Sequence, residues 1–211
     1  MYWHISRRIQ KMAKELDYFP EELEGLDSLL SDTYFCNFSL FQSMPDSWAV
    51  KQLFPIMPIH RLEEEPTVSA TLADLTCDSD GMIDRFIDVE DVRSSLDVHA
   101  LKDHEAYYLG MFLNGAYQEI LGDLHNLFGD THAVHVALGD EGYHIRHVIK
   151  GDSVTDVLRY VEYVPENMIE AVRRQAERAT SAGRLTNVQM RTLMQHYEES
   201  LRSYTYLTGD D

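Results

Sequence analysis

The chain has 211 residues, of which 44% are hydrophobic, so it can bury a core in one or two domains and is not a disordered acidic chain. Its net charge is −18, although residues 1–14 contain four basic side chains and no acid. Such a charge repels nucleic acid and anionic membranes and favours cationic ligands, although an acidic surface also serves solubility. No apolar run approaches the ~18 residues needed to span a membrane.

The two cysteines, Cys36 and Cys77, show no CxxC spacing, and no secretory leader precedes them. This usage predicts a reducing, cytoplasmic location. Cys36 lies in an aromatic, β-prone stretch and is interpreted as a small buried hydrophobic residue.

Ten histidines raise the question of a metal site. The closest pairs are His132 with His135 and His144 with His147, and residues three apart in a strand face opposite sides of the sheet. No Cys or acidic side chain recurs at ligand spacing, so we predict no protein-held metal.

Residues 1–31 predict a helical segment. Apolar side chains recur at helical spacing over residues 2–17, and Pro20 begins a second helix, over residues 20–30, with acids in its first turn. Both helices are short and one-sided, so they need a surface to pack on.

Residues 32–150 predict a β-domain. Strands are expected at 34–41, at 55–62 near a sheet edge, at 67–76, at 82–88 and at 107–113, with a turn at 44–47. A short helix is expected at 116–125, followed by a hairpin of residues 133–138 and 143–149.

Residues 151–211 predict a C-terminal helical domain. Capping boxes at Ser153 and Thr186 and a helix-initiating Pro165 mark helices at 153–160, 165–183 and 186–203. Strands followed by helices indicate an α+β fold.

The segment Cys77-Asp78-Ser79-Asp80-Gly81 puts a thiol and two carboxylates at the end of an apolar, alternating strand. Asp80-Gly81 then turns the chain into the next strand. A strand end holds side chains on a rigid sheet and exposes them, which suits a catalytic or binding site. The alternative is a polar hairpin with an incidental cysteine.

This segment and four further blocks resemble the C-terminal half of biosynthetic arginine decarboxylases, which are pyridoxal-phosphate enzymes of the alanine racemase/ornithine decarboxylase fold type. The four blocks are 38–48, 52–58, 108–130 and 204–207. The likeness runs in order from Asp32 to the C-terminus. It implies an antiparallel β-sandwich or Greek-key barrel for 32–150, and it implies that the TIM barrel of the family is absent from this chain. Met1 would then be a cut through a longer chain or the start of a truncated reading frame.

The resemblance also implies roles for particular residues. Cys77 matches the acid that protonates the substrate α-carbon, and Asp78 matches a substrate-binding acid. Asp80 would also face the cationic end of the substrate; the alternative is that it only shapes the turn. Asp46 falls where related enzymes place an acid on a short specificity helix, after a one-residue alignment gap.

Tyr117 resembles the tyrosine that contacts the cofactor phosphate, and Gly115 would let the backbone approach that phosphate closely. The alternative for Tyr117 is a core residue. None of the five lysines lies in the motif that carries the cofactor lysine of the family. Pyridoxal phosphate would therefore be bound mainly by the barrel, and the family also implies Mg²⁺, for which no ligand set is identifiable.

We therefore predict the C-terminal portion of a homo-oligomeric arginine decarboxylase that converts arginine to agmatine and carbon dioxide in polyamine biosynthesis. The Cys77-Asp78 segment would serve the opposite subunit, and Tyr117 its own. One alternative is a barrel-less, non-catalytic module that pairs with a full-length decarboxylase and regulates it. Another is a plain acidic β-sandwich scaffold.

Overall fold

A computed structural model describes residues 2–13, 29–89 and 91–208. The chain divides into two compact units, Met1–Leu121 and Gly122–Asp211. The predicted first helix is confirmed as α1 (Tyr2–Ala13). Its expected continuation to residue 17, and the second helix up to residue 28, lie outside the described residues.

The first unit contains short strands and short helices. After α1 come, in chain order, β1 (Asp32–Phe35), α2 (Leu40–Ser43), α3 (Pro45–Ala49), β2 (Ile56–Pro58), β3 (Val68–Ala73), β4 (Met82–Ile83), β5 (Phe86–Ile87), β6 (Val92–Arg93), β7 (Leu96–Val98), β8 (Leu109–Met111) and α4 (Gly115–Leu121). Strand β3 is the centre of a four-stranded sheet, while β2–β8 and β5–β6 form two-stranded antiparallel sheets.

The four-stranded sheet is mixed. Strand β3 pairs antiparallel with β4 and β7, but β1 runs parallel to β3, with Asp32 opposite Ala70 and Phe35 opposite Ala73. The expectation of a wholly antiparallel domain is therefore wrong for this pair. The chain returns from the end of β1 to the start of β3 through α2, α3 and β2. Parallel neighbours require such a crossover connection, which usually contains a helix.

The predicted strand 34–41 is confirmed only for residues 34 and 35. The strand ends at Phe35, and the chain forms the helix α2 from Leu40. The Ser39 side chain accepts a hydrogen bond from the Gln42 N–H at 3.3 Å and so caps this helix. The turn predicted at 44–47 is the start of α3, with Pro45 in its first turn.

The core of the first unit lies between β3 and the face of α2. Its buried members are Leu40, Met44, Phe54, Leu72, Ile83 and Phe86, and partly buried side chains including Cys36 pack against them. Leu40, Leu72 and Phe86 are almost completely buried, and removing apolar surface of this kind from water stabilises the fold.

The second unit contains the hairpin β9 (Ala133–Gly139) and β10 (Gly142–Ile149) and the helices α5 (Val154–Tyr160), α6 (Pro165–Ser181) and α7 (Asn187–Arg202). The hairpin, all three helices and both capping boxes are confirmed. The hairpin falls in this unit, with the helices, whereas the sequence groups it with the β-domain of residues 32–150. The division into functional domains stays a prediction.

The chain end closes the second unit. The Tyr206 hydroxyl donates to the Gly129 carbonyl at 2.7 Å, and the Gly129 N–H donates to the Thr205 hydroxyl at 3.1 Å. Tyr204 stacks on His132 with ring centroids 4.1 Å apart. The terminal block singled out in the sequence is thus a packing element.

The α+β class is confirmed, and within residues 2–13, 29–89 and 91–208 the sheets are small and form neither a closed barrel nor a TIM barrel. The sandwich or Greek-key topology stays a prediction. None of the helices in those ranges is long and apolar enough to cross a bilayer.

The two thiols should differ in reactivity. Cys36 is packed against the core, and burial raises the pKa of its thiol from 9.0 to about 11, whereas Cys77 is exposed. Because two pKa units change the thiolate fraction about a hundredfold, Cys36 should alkylate at least that much more slowly than an exposed thiol at pH 8. The measurement is iodoacetamide labelling of Cys77→Ser and Cys36→Ala chains, with urea-unfolded chains as controls. Equal rates in the folded chains would show that Cys36 is not buried.

Candidate functional site

The Cys77 segment begins at a buried carboxylate. Asp74 follows β3 directly and is only 3% exposed. Its Oδ1 accepts hydrogen bonds from the N–H and hydroxyl of Thr76 at 2.8 and 2.7 Å, and its Oδ2 accepts one from the Leu40 N–H at 2.8 Å. Hydrogen bonds of this kind compensate a buried charge, so Asp74 holds the start of α2 and the start of the loop together.

The loop 74–81 is a tight connection between β3 and β4. The Asp74 N–H donates to the Gly81 carbonyl at 2.8 Å, and the Gly81 N–H donates to the Asp78 carbonyl at 3.0 Å. The Asp78 Oδ1 accepts from the Asp80 N–H at 2.9 Å, which is an Asx turn. A Cβ at residue 81 would lie 2.2 Å from the Asp74 Oδ1, so only glycine fits there.

The loop displays the predicted site residues on an open surface. Cys77 and Asp80 are exposed and Asp78 is half-buried. The structure therefore brings these three together at a strand end, as the sequence predicts. The catalytic and binding roles of the three stay predictions.

Helix α3 contacts the loop through Trp48. The Trp48 Nε1–H donates to the Asp80 Oδ2 at 3.2 Å. Phe41 of α2 meets the Trp48 ring edge-on, with centroids 5.2 Å apart, and fixes its orientation. Asp80 is thus held from both sides, by the turn and by the indole.

Asp46 lies on the same helix but makes a different contact. The Gln118 Nε2–H donates to the Asp46 Oδ2 at 2.6 Å, and the Asp46 N–H donates to the Gln118 Oε1 at 3.1 Å. Gln118 is 4% exposed and Asp46 is half-buried, so both bonds are partly shielded from water. This reciprocal pair, which we call the Asp46–Gln118 pair, joins α3 to α4.

Tyr117 and Gly115 lie on α4, next to Gln118. The Tyr117 side chain is 76% exposed, which excludes the interpretation as a core residue within the first unit. Gly115 has a φ of 69°, in the left-handed region, and nothing lies within 4 Å of where its Cβ would be. An exposed phenol beside open backbone fits one side of a phosphate group, so these residues are compatible with pyridoxal phosphate but supply only part of its contacts.

The sequence does not predict the supporting roles of three residues in this arrangement: Asp74, Trp48 and Gln118. A charged residue between Ala73 and Leu75, at the end of an apolar strand, was a signal for a buried carboxylate with partners. Trp48 and Gln118 lie in the family-like blocks, but nothing in the sequence states which residues they contact.

No group of three or more His, Cys, Asp or Glu side chains in a metal-binding arrangement occurs in the described part of the chain. Neither Mg²⁺ nor another metal has a proposed ligand set there.

Comparison with known proteins gives consistent matches. Residues 154–207 match the arginine decarboxylase C-terminal helical extension. The biosynthetic arginine decarboxylase of Gloeobacter violaceus is 57% identical over the whole chain, and that of Nostoc sp. is 56% identical over 99% of it. The chain covers 33% and 31% of those two proteins, so it spans about a third of the length of its relatives.

A solved structure also matches. The biosynthetic arginine decarboxylase SpeA from Campylobacter jejuni superposes with a TM-score of 0.73 and 36% identity. The match covers 84% of this chain and 29% of that protein.

Removing the Asp74 carboxylate should destabilise the first unit. Asp74→Ala leaves the N–H groups of Leu40 and Thr76 without their acceptor, so we expect a loss of about 3 kcal/mol in the free energy of unfolding. Asp84→Ala, at an exposed position between β4 and β5, is the matched control and should change the free energy of unfolding by less than about 0.5 kcal/mol. Urea unfolding of both chains measures the difference. Similar stability of the two variants would mean that Asp74 does not hold the loop.

Proposed function

Since the chain belongs, as a C-terminal part, to the biosynthetic arginine decarboxylase family, we propose that it forms the C-terminal portion of an enzyme that converts L-arginine to agmatine and carbon dioxide in the cytoplasm, for polyamine biosynthesis. The observation that carries the proposal is 57% identity in an alignment that covers the whole chain and therefore spans the loop that displays Cys77. A plain acidic scaffold has no need for that exposed loop.

Cys77 is proposed as the acid that gives its proton to the substrate α-carbon after carbon dioxide has left. Its thiol is exposed at a strand end, and the Asp74 contacts fix the loop that carries it. Fixed placement matters because a general acid must lie within hydrogen-bond reach of the atom that it protonates. The rigid strand supplies that placement at little entropic cost during the reaction.

Asp78 and Asp80 are proposed to bind the guanidinium of arginine. A guanidinium offers a planar fork of donors, for which carboxylates are the natural partners. Their local contacts, to the Asp80 N–H and to Trp48, orient both side chains. Because a carboxylate can accept about four hydrogen bonds, both contacts are compatible with guanidinium binding.

Tyr117 and Gly115 are proposed to contact the phosphate of pyridoxal phosphate. The cofactor, when bound, supplies the electron sink that makes loss of the carboxyl group feasible. The exposed Tyr117 hydroxyl would donate to a phosphate oxygen, and the open space at Gly115 admits the group. The remaining contacts, including the cofactor lysine, would come from the barrel of the enzyme.

The hairpin β9–β10 supports the proposal that further protein covers this chain. Both strands are largely exposed, and they carry Val134, Val136, Leu138, Tyr143, Ile145, Val148 and Ile149 at 47–86% exposure. Isolated two-stranded hairpins are marginally stable, and an apolar patch of this kind marks an interaction surface. We propose that the barrel part of the enzyme, or a second subunit of a homo-oligomer, packs on it.

The same exposed hairpin supports a second candidate function. A non-catalytic module that pairs with a full-length decarboxylase and regulates it would use this surface in the same way. The two candidates differ in whether Cys77 works in a reaction.

The isolated chain should be inactive, and a chimera should be active. Alone, the chain should show no cofactor absorbance with pyridoxal phosphate and release no carbon dioxide from arginine, because none of its five lysines lies in the cofactor motif. Replacing the matching third of the Gloeobacter violaceus enzyme with this chain should preserve arginine decarboxylation. A borohydride-reducible cofactor on one lysine of the isolated chain would contradict the first expectation. Two results together would favour the regulatory module. The chimera would be inactive, and the isolated chain, added to the intact Gloeobacter violaceus enzyme, would change its rate.

In that chimera, Cys77→Ala should lower kcat by ~10²–10⁴-fold and leave KM for arginine nearly unchanged, as loss of a positioned acid does. Asp78→Ala should act mainly on KM, because its carboxylate binds the guanidinium in the ground and transition states alike. Steady-state kinetics separate the two. A Cys77→Ala chimera with unchanged kcat would exclude the acid role.

If the Cys77 segment serves the opposite subunit, mixing the Cys77→Ala chimera with one lacking the cofactor lysine should restore activity. Random pairing makes half the dimers mixed, each with one intact site, which gives about a quarter of the full activity. Absence of rescue would place Cys77 in its own subunit or outside the reaction.

A further inference from the structure

We propose that Gln118 is a positioning residue for Tyr117, and that Asp46 acts through Gln118 and does not bind the substrate. This inference rests on the function proposed above for Tyr117. It replaces the sequence-based expectation that Asp46 contacts arginine.

The first argument is the geometry of α4. Gln118 and Tyr117 are neighbours on a seven-residue helix, with Gln118 buried at 4% exposure and Tyr117 exposed at 76%. Successive helical residues point about 100° apart, so fixing the buried amide fixes the direction in which the phenol projects. A helix this short has little stability of its own and takes its position from such contacts.

The second argument is the chemistry of the Asp46–Gln118 pair. The Asp46 carboxylate accepts a hydrogen bond from the Gln118 amide N–H, and the Asp46 backbone N–H donates one to the Gln118 amide oxygen. An amide is the side chain that can satisfy both at once. Hydrogen bonds to a carboxylate are also stronger than bonds between neutral groups, and the short 2.6 Å distance is of that kind.

The third argument is where α3 leads. Its Trp48 contacts Asp80 in the loop of Cys77, and its Asp46 contacts Gln118 beside Tyr117. This five-residue helix therefore spans from the proposed guanidinium side to the proposed phosphate side. A change in the pair should displace Tyr117 relative to the loop, and so alter cofactor affinity first.

Exchanging the carboxylate and the amide between residues 46 and 118 can distinguish a positioning role of Asp46 from direct binding of the substrate. Asp46→Asn keeps an oxygen that accepts from the Gln118 amide, but removes the charge. Gln118→Glu brings two carboxylates to 2.6 Å and breaks the contact. In the double variant, the new amide at 46 donates to the new carboxylate at 118, whose other oxygen accepts the N–H of residue 46. The contact is thereby restored with its polarity reversed.

The test uses the chimera with these three variants, and Glu119→Gln, an exposed neighbour on α4, is the control. The dissociation constant of pyridoxal phosphate is measured by its absorbance, and KM for arginine by kinetics. We expect Gln118→Glu to weaken cofactor binding by about tenfold or more, the usual loss when a charged hydrogen bond is broken. Asp46→Asn, the double variant and Glu119→Gln should each stay within about threefold of the unchanged chimera in both quantities.

A large rise in KM for arginine in Asp46→Asn, not rescued in the double variant, would overturn the proposal and make Asp46 a substrate ligand. Normal cofactor binding in Gln118→Glu would also overturn it. If the unchanged chimera does not decarboxylate arginine, the proposed function fails, while the cofactor series still tests the pair. If the unchanged chimera binds no cofactor, amide hydrogen exchange of residues 115–121 in the isolated chain tests the Asp46–Gln118 pair instead. Protection from exchange should fall in Gln118→Glu and return in the double variant. Unchanged protection would then overturn the proposal.

Discussion

The buried carboxylate of Asp74 is the constraint on which the first unit depends. An isolated charge in the protein interior is prohibitively costly, and Asp74 is tolerated at 3% exposure because three donors converge on it. Two of those donors belong to the loop of Cys77, and the third is the first N–H of α2. One side chain therefore ends β3, begins a helix and fixes the loop, so that none of the three can shift independently.

The consequence is that the candidate site is built from short elements held by specific contacts. Helices α2, α3 and α4 have four, five and seven residues, too few to be stable alone. Each is held at a polar contact: α2 at Asp74, and α3 and α4 at the Asp46–Gln118 pair. Side chains other than the exposed candidate groups thus determine where those groups lie.

Local signals in the sequence were sufficient where structure is local. The hairpin β9–β10 follows from alternation, the helices α5 and α7 from their capping boxes, and α6 from the proline in its first turn. The wrong strand prediction for residues 36–41 has a different origin, because the helix α2 begins where the Leu40 N–H meets a carboxylate 34 residues away. The parallel pairing of β1 with β3 is likewise set by the intervening chain and the shared core. Motif spacing located Cys77, Asp78 and Asp80, but it carried no information about their supports.

The exposure of the candidate groups fits the proposal that the arrangement is one side of a site. Cys77, Asp80 and Tyr117 all face open space in this chain, where water competes for every hydrogen bond that they could make to a ligand. Proton delivery to a carbon atom and selection of a guanidinium both gain from water exclusion. Asp74 already fixes the loop of Cys77, and Trp48 orients Asp80, so a covering surface would mainly have to exclude water. That division of labour fits a chain that spans about a third of its relatives, because the contacts that orient the groups are internal to it.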